Sequence, residues 1–237
     1  MSSLFAKLRG PADSPHTAAY KTARAAAQSW LPKIMRHPAS KPFDIVKAAR
    51  KLTLPVEDRL IVFESETEQA LLMAFYLVDY RPDGKSVAET CVFAPGELTP
   101  DETEAHRAML ASRTSLFEAV AVHDREPKIL LRDRLDPAAP ELWLTDLGLA
   151  GSIRRLGKVL LFTRVFSPYG LHMTGGFSFV FETKHEPALV AGYRRELWSS
   201  PAAHRNHRRT IFFLAQHRRH GLEQAYADVV RPAGAAD

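Results

Sequence analysis

Val159-Leu-Leu-Phe-Thr-Arg-Val-Phe166, followed after four residues by Leu171-His-Met-Thr-Gly-Gly-Phe-Ser-Phe-Val-Phe181, is the stretch on which the fold turns. Both runs are rich in β-branched and aromatic residues and are bounded by turn formers, the composition of strands rather than helices. Gly175-Gly176 allows a bulge or sharp bend where the longer strand folds over. Towards the N-terminus the same character marks residues 116–123, 129–133 and 142–145, so five strands follow one another between 115 and 182. Their spacing of about ten residues predicts a small antiparallel β-barrel or sheet.

Helical patterns flank this block. Ser14-Pro15 caps and opens an Ala-rich helix that Pro32 is expected to stop. A second helix follows Pro42, with Phe43, Val46, Ala49 and Leu52 on its apolar face, and ends before Pro55. Ser65-Glu-Thr-Glu68 reads as a capping box, which favours a helix over a buried strand for the apolar run from Leu71 to Tyr80. The turn Arg81-Pro-Asp-Gly84 then leads to a shorter helix over 86–93, with a hairpin about Pro82-Asp83-Gly84 as the alternative. Thr99-Pro-Asp-Glu102 predicts a capped helix to about Ser112. Beyond the strands, Ser200-Pro201 starts a basic helix to about His220, with Gly221 at the position after its end and a last turn or two over 222–230. The fold class is therefore α+β: a helical N-terminal region over 1–114, a barrel or sheet over 115–183, C-terminal helices over 184–230 that pack back on the body, and a disordered tail over 231–237.

Composition narrows the class. With 237 residues, 46% of them hydrophobic, the chain can bury a core as one domain or two small ones. Its single cysteine, Cys91, excludes an internal disulfide framework and a Cys-based zinc or iron–sulfur site, and fits a reducing, cytoplasmic setting. The N-terminus lacks the apolar core of a signal peptide, and the run Ala70 to Val78 is far short of the roughly 20 residues of a membrane helix. No membrane partner is expected.

The formal charge of +5 is unevenly divided. Residues 21–51 hold eight bases and one acid, residues 52–193 hold 14 bases and 21 acids, and residues 194–220 hold seven arginines and one acid. Two basic arms thus enclose an acidic middle.

The second arm gives the strongest candidate site. At 100° per residue, Arg205, Arg208, Arg209 and Arg219 share a sector with Phe212 and Gln216, while Ile211, Leu214, Ala215 and Leu222 fall on another. A guanidinium stripe binds carboxylates or phosphates bidentately, and Phe212 could stack on a base. The competing reading is a solvated helix face, or one that packs on the protein's own acids. His204 and His217 are about 20 Å apart on a continuous helix, too far for one metal ion, and the pairs His204/His207 and His217/His220 each lack a third ligand. No cofactor and no metal are expected.

Other chemistry is weak in the sequence. There is no Gly-x-Ser-x-Gly elbow and no phosphate-binding glycine loop. Cys91 sits in an apolar segment as a small core residue, while His123-Asp124, His172 and Asp133 fall at strand ends, where polar residues are ordinary. Thr174-Gly-Gly176 precedes a strand rather than a helix, so it makes no anion nest. Leu130-Leu-Arg-Asp133 reads as a strand that ends in an ion pair or turn cap.

Several short motifs occur in order: Ala70-Leu-Leu72, Tyr80-Arg-Pro-Asp-Gly-Lys-Ser86, Leu98-Thr-Pro-Asp-Glu102, Ser115-Leu-Phe-Glu-Ala-Val120, Leu130-Leu-Arg-Asp133, Gly157-Lys-Val-Leu-Leu-Phe-Thr-Arg164 and Thr174-Gly-Gly176. Over about residues 65–182 this series resembles uncharacterised bacterial proteins related to those carrying a Cys-rich SEC-C zinc motif. The resemblance implies a helical lead-in to a small β-barrel with no established activity. The zinc motif itself is absent, since one cysteine cannot form it.

Without a catalytic constellation, the sequence favours a non-enzymatic binding or adaptor protein that recognises an acidic protein or peptide through the Arg-rich helix. Nucleic-acid binding by the same helix is the second reading, and an enzyme of unfamiliar type the third. Oligomeric state is left open, a homodimer included.

Overall fold

In the computed structural model, residues 15–198 and 205–222 are described. The expected helix start at Pro201, most of the last turn over 222–230 and the tail at 231–237 lie outside them.

The central strand sets the architecture. All eight residues of β6 (Val159–Phe166) are buried, because helices cover the sheet on both faces. Alternate side chains go to opposite sides: Val159, Leu161 and Val165 join one hydrophobic cluster, and Leu160, Phe162 and Phe166 the other. Around β6 the remaining strands are β3 (Arg113–Val122), β4 (Lys128–Asp133), β5 (Leu142–Thr145), β7 (Met173–Glu182) and β8 (Gly221–Leu222). They form one antiparallel sheet in the order β5-β4-β3-β6-β7-β8.

The five expected strands are present, but the sheet is not a barrel. Its β5 edge curls back towards β7: the Thr145 N–H donates to the His172 carbonyl at 2.8 Å, and the Thr174 hydroxyl donates to Asp146 at 2.5 Å. Asp146 also caps a helix, accepting the Leu149 N–H at 3.0 Å, so the chain leaves the sheet before a β5–β7 ladder can form. That helix, α6 (Leu147–Leu156), was not foreseen; Gly148 and Gly151 weaken its propensity, and its cap and apolar row carry it. Leu149, Ala150 and Ile153 cover the face made by Phe117, Leu131 and Leu161.

The other face supports the larger core. Here lie α1 (Pro15–Arg36), α3 (Glu66–Ala74), α5 (Pro100–Leu110), α7 (Glu186–Trp198) and α8 (Arg205–His220). Pro32 does not stop α1. It removes one N–H at a typical cost of about 3 kcal/mol, but Trp30 and Ile34 on either side are fully buried and hold the turn helical. Both α5 and the shorter α4 (Val87–Thr90) begin with complete capping boxes, Thr99/Glu102 and Ser86/Glu89. The latter ends at Thr90 rather than at 93, because Cys91 is extended.

Ser65 caps α3, so the run from Leu71 is helical as expected, although Glu68 reaches the Glu64 N–H instead of closing a box. The helix then widens into a π-turn over Phe75–Asp79, closed by Tyr80 N–H to Phe75 carbonyl at 2.8 Å. α2 (Ile45–Lys51), capped by Asp44, starts later than Pro42. It leads into a small hairpin of β1 (Val56–Glu57) and β2 (Leu60–Ile61), which the sequence hid because its turn places Asp58 and Arg59, rather than glycines, at φ of 46° and 67°. Gly221 does not act as a helix C-cap; it pairs with Phe181 as the start of β8. No described helix is long and apolar enough to cross a membrane.

Candidate functional site

A register shift places the most unusual side chain of the protein. In the β6–β7 pairing Thr163 faces Ser178, but Val165 faces Thr174, so Arg164 stands opposite a bulge that contains Gly175 and Gly176. Gly176 takes φ of 107°, open only to glycine at low cost. Bulges re-aim side chains, and this one sends Arg164 into the protein. Its side chain is 2% exposed.

The guanidinium has two hydrogen-bond partners and a like charge in the same cavity. Nη2 donates to the Asp79 carboxylate at the end of the π-turn, and Nη1 to the Ser112 hydroxyl at 2.9 Å. That charge is Arg209 of α8, held by its own partners: its Nη1 donates to the Thr114 carbonyl, its Nε donates to the Tyr193 hydroxyl at 2.8 Å, and its Cζ lies 5.6 Å from the Tyr193 ring centre. Burial pushes the Asp79 carboxyl above its ordinary range, opposed by Arg164, Arg209 and Arg81, and the same burial pushes Arg164 down. In its immediate surroundings Arg164 Nε and Thr114 Oγ1 are buried with no hydrogen-bond partner.

These residues line a two-part cleft. The inner part, about 90 Å³, is walled by Asp79, Ser112, Arg113, Thr114, Arg164 and Arg209, with Asn206 beside them. Arg113, Thr114 and Arg209 also wall the outer part, about 200 Å³, which continues to Asp133, Asp136 and Tyr193. Arg113 is 3.1 Å from Asp133, whose carboxylate accepts the Ser115 hydroxyl at 2.6 Å and the Leu135 and Asp136 N–H groups. In the inner part three guanidinium groups meet one carboxylate.

Gly175 permits this arrangement. A Cβ built there would fall 2.9 Å from Cγ and 3.0 Å from Cβ and Cδ of Arg164. Because the Arg164 stem is packed, Gly175→Ala is expected to destabilise by about 1–3 kcal/mol, read as a lower urea midpoint. A loss under about 0.5 kcal/mol, the usual range of neutral surface changes, would mean that the stem moves freely.

The arginine stripe is divided by the fold. Arg205 begins α8. Arg208 points outward and lies 3.2 Å from Glu196, while Arg209 enters the cleft. Arg219 is exposed and Gln216 half-buried. Phe212 is not free to stack on a base: it packs against Phe213 and Tyr193, with ring centres 5.1 and 6.2 Å away, and against Gly192, where a Cβ would meet it at 2.9 Å. The buried row of α8 is Thr210, Phe213 and Leu214, with Ile211 and Ala215 half-buried, so the core face is rotated from the expected one. Arg218, outside the expected stripe, pairs with Glu68 at 2.7 Å and Glu64 at 3.5 Å.

The histidines separate as well. His207 meets the Lys51 carbonyl at 2.8 Å, His217 stacks on Phe179 at 4.1 Å, and His220 stacks on His185 at 5.0 Å. His204 lies outside the described residues, and among those described no three His, Cys, Asp or Glu side chains converge as a metal site. His123 accepts the Glu126 N–H at 3.1 Å, His172 is 2.6 Å from the Ser167 hydroxyl, and buried Cys91 has its thiol pushed up to about 11 by burial. They occupy three unconnected surroundings. Asp79, Ser112, Arg113, Thr114 and Arg164 were not singled out by sequence reasoning; the one available signal was the lone charge in each of two apolar runs, Asp79 and Arg164.

No curated protein and no solved structure matches the chain. A family model covers residues 15–227, which include every residue of the cleft, and the chain belongs to that family, the family of unknown function DUF7986.

Proposed function

We propose that this protein is a non-enzymatic binding protein that holds an acidic side chain of a partner protein or peptide in the cleft beneath α8. The observation that carries the reading is the inner compartment, whose wall holds Arg113, Arg164 and Arg209 but one carboxylate, Asp79, and where Arg164 Nε and Thr114 Oγ1 are buried without hydrogen-bond partners. A carboxylate would accept from these donors, and charge-assisted bonds of this kind are the strong ones. Volume selects the ligand's size: 90 and 200 Å³ are below the roughly 300–1,000 Å³ of ordinary small-molecule sites, so one acidic side chain fits and a nucleotide does not.

Nucleic acid is the weaker reading. Asp133 and Asp136 border the outer compartment and would repel adjacent phosphates, and Phe212 is engaged in the core. The exposed Asp136 carboxylate could accept a backbone N–H of a bound peptide.

An array of short peptides carrying a single Asp or Glu, each beside its Asn or Gln counterpart, tests the reading. Retention of acidic members over their amides is expected, and it should fall about ten- to a hundredfold with Arg209→Ala, the worth of a hydrogen bond to a charged group. Arg113→Lys, which keeps a cation for buried Asp133 while removing the planar fork, provides a second variant. Equal retention of acids and amides would overturn the proposal, and salt-sensitive retention of duplex DNA in place of peptides would favour the other reading.

A further inference from the structure

A wider opening than the cleft lies elsewhere among the described residues, between α4 and α5. Its volume is about 500 Å³, within the range of small-molecule sites. Most of the wall is apolar, including Ala88, Cys91, Phe93, Leu98 and Leu110. The rim is apolar too, with Val92 79% exposed.

Its polar groups are few and already committed, with one exception. Glu89 binds Arg81 at 3.0 Å and the Ser86 N–H at 2.8 Å, and Thr103 donates to the Thr99 carbonyl at 3.0 Å. Cys91, its thiol pushed up to about 11 by burial, stays neutral and unreactive. His106 is different. Its Nδ1 accepts the Trp30 indole N–H at 3.1 Å, and burial lowers its pKa, so the ring is neutral with its proton on Nε2. His106 lines the opening whereas Trp30, the partner of Nδ1, does not, which leaves Nε2–H as the ring donor for a ligand there.

We propose that this pocket binds a small apolar molecule through one neutral hydrogen-bond acceptor, a ketone, ester or amide carbonyl, received by His106 Nε2–H. The uncharged donor gives no reward for an anion. A cation would lack a dedicated counter-charge, because Glu89 is paired with Arg81. The exposed apolar rim shields the rest of an apolar ligand from water. This site is independent of the cleft beneath α8 and shares no residue with it.

Titration of the full chain with 6-propionyl-2-dimethylaminonaphthalene, a fluorescent ketone whose emission shifts to the blue in apolar surroundings, tests the site. The matched probe is 2-dimethylaminonaphthalene, which lacks the carbonyl. Wild-type protein is expected to bind the ketone about fivefold more tightly than the matched probe, the effect of one net hydrogen bond. His106→Phe should abolish that difference while leaving the matched probe's affinity unchanged. Thr103→Phe, at an exposed position on the rim, should weaken both probes tenfold or more. The two-probe comparison on wild-type protein stands even if His106→Phe fails to fold. Equal affinities for the two probes, or binding indifferent to Thr103→Phe, would overturn the proposal. So would a concentration-dependent dimer dissociated by Val92→Asp, or tighter probe binding after removal of residues 1–14, since either would mean that another part of this polypeptide occupies the pocket.

Discussion

Asp79→Asn is expected to lower stability by about 3–5 kcal/mol, the cost of leaving a buried charge without its counter-ion. The side chains of Asp79 and Arg164 are only 8% and 2% exposed, so solvent cannot replace the lost partner. The amide keeps the shape of the carboxylate and can still accept one N–H, which makes the loss specific to charge. In a chain of this size about 2–4 °C of melting temperature accompanies each kcal/mol, so thermal unfolding followed by circular dichroism should shift down by roughly 6–20 °C. The double change Asp79→Leu with Arg164→Met is expected to recover most of the loss, since apolar replacement of a buried pair is often neutral or stabilising. A shift below about 1 kcal/mol for Asp79→Asn, or no recovery in the double variant, would mean that Arg164 does not depend on this carboxylate.

Phe213→Ala should have a loss of similar size for a different reason. The ring is fully buried and stacks on Phe162 of β6 with centres 4.3 Å apart, while Phe181 and Tyr193 approach at 6.4 and 5.6 Å. Deleting such a ring typically costs about 3–5 kcal/mol, part transfer and part cavity. The effect should be local first. α8 is anchored by Phe213 and Leu214 and carries Arg209, so amide exchange over 205–220 should accelerate while the β3 and β6 amides remain protected. Acidic-peptide retention is then lost together with helix protection. Uniform acceleration across the sheet and α8 would show that the helix does not open as a separate unit.

The sequence revealed the elements more readily than their arrangement. Strand positions were legible because turn formers punctuate β-branched and aromatic runs, and α3 and α5 because Ser65 and Thr99 cap them. That the sheet stays open was not legible. It depends on Asp146, which caps α6 where β5 could otherwise have extended along β7, and two glycines had hidden that helix. For the site, the helical wheel found Arg209 but treated α8 as an isolated cylinder. The direction of each arginine is set by what lies beneath: Tyr193 and the Thr114 carbonyl draw Arg209 inward, and Glu68 draws in Arg218. Arg164 was hidden by its own strand, where a single charge among apolar residues reads as decoration until Asp79, 85 positions earlier, is brought to it. The basic residues of the two arms divide: Arg24, Lys33, Arg208 and Arg218 all approach acids of this chain, while Arg209 lines a cleft.

The sheet's double cover has a consequence for synthesis. Phe162, Phe179 and Phe181 are made well before α8, which supplies Phe213 and His217 to cover them. Between residues 181 and 220 lie about 40 further additions, roughly 2–8 s at 5–20 residues per second. During that interval each new chain presents a row of phenylalanines on a sheet whose last strand, β8, has not yet been translated. Residues 205–222 therefore act as the protein's own late-arriving shield, and a ribosome that stalls before them leaves a product ready to associate with its neighbours.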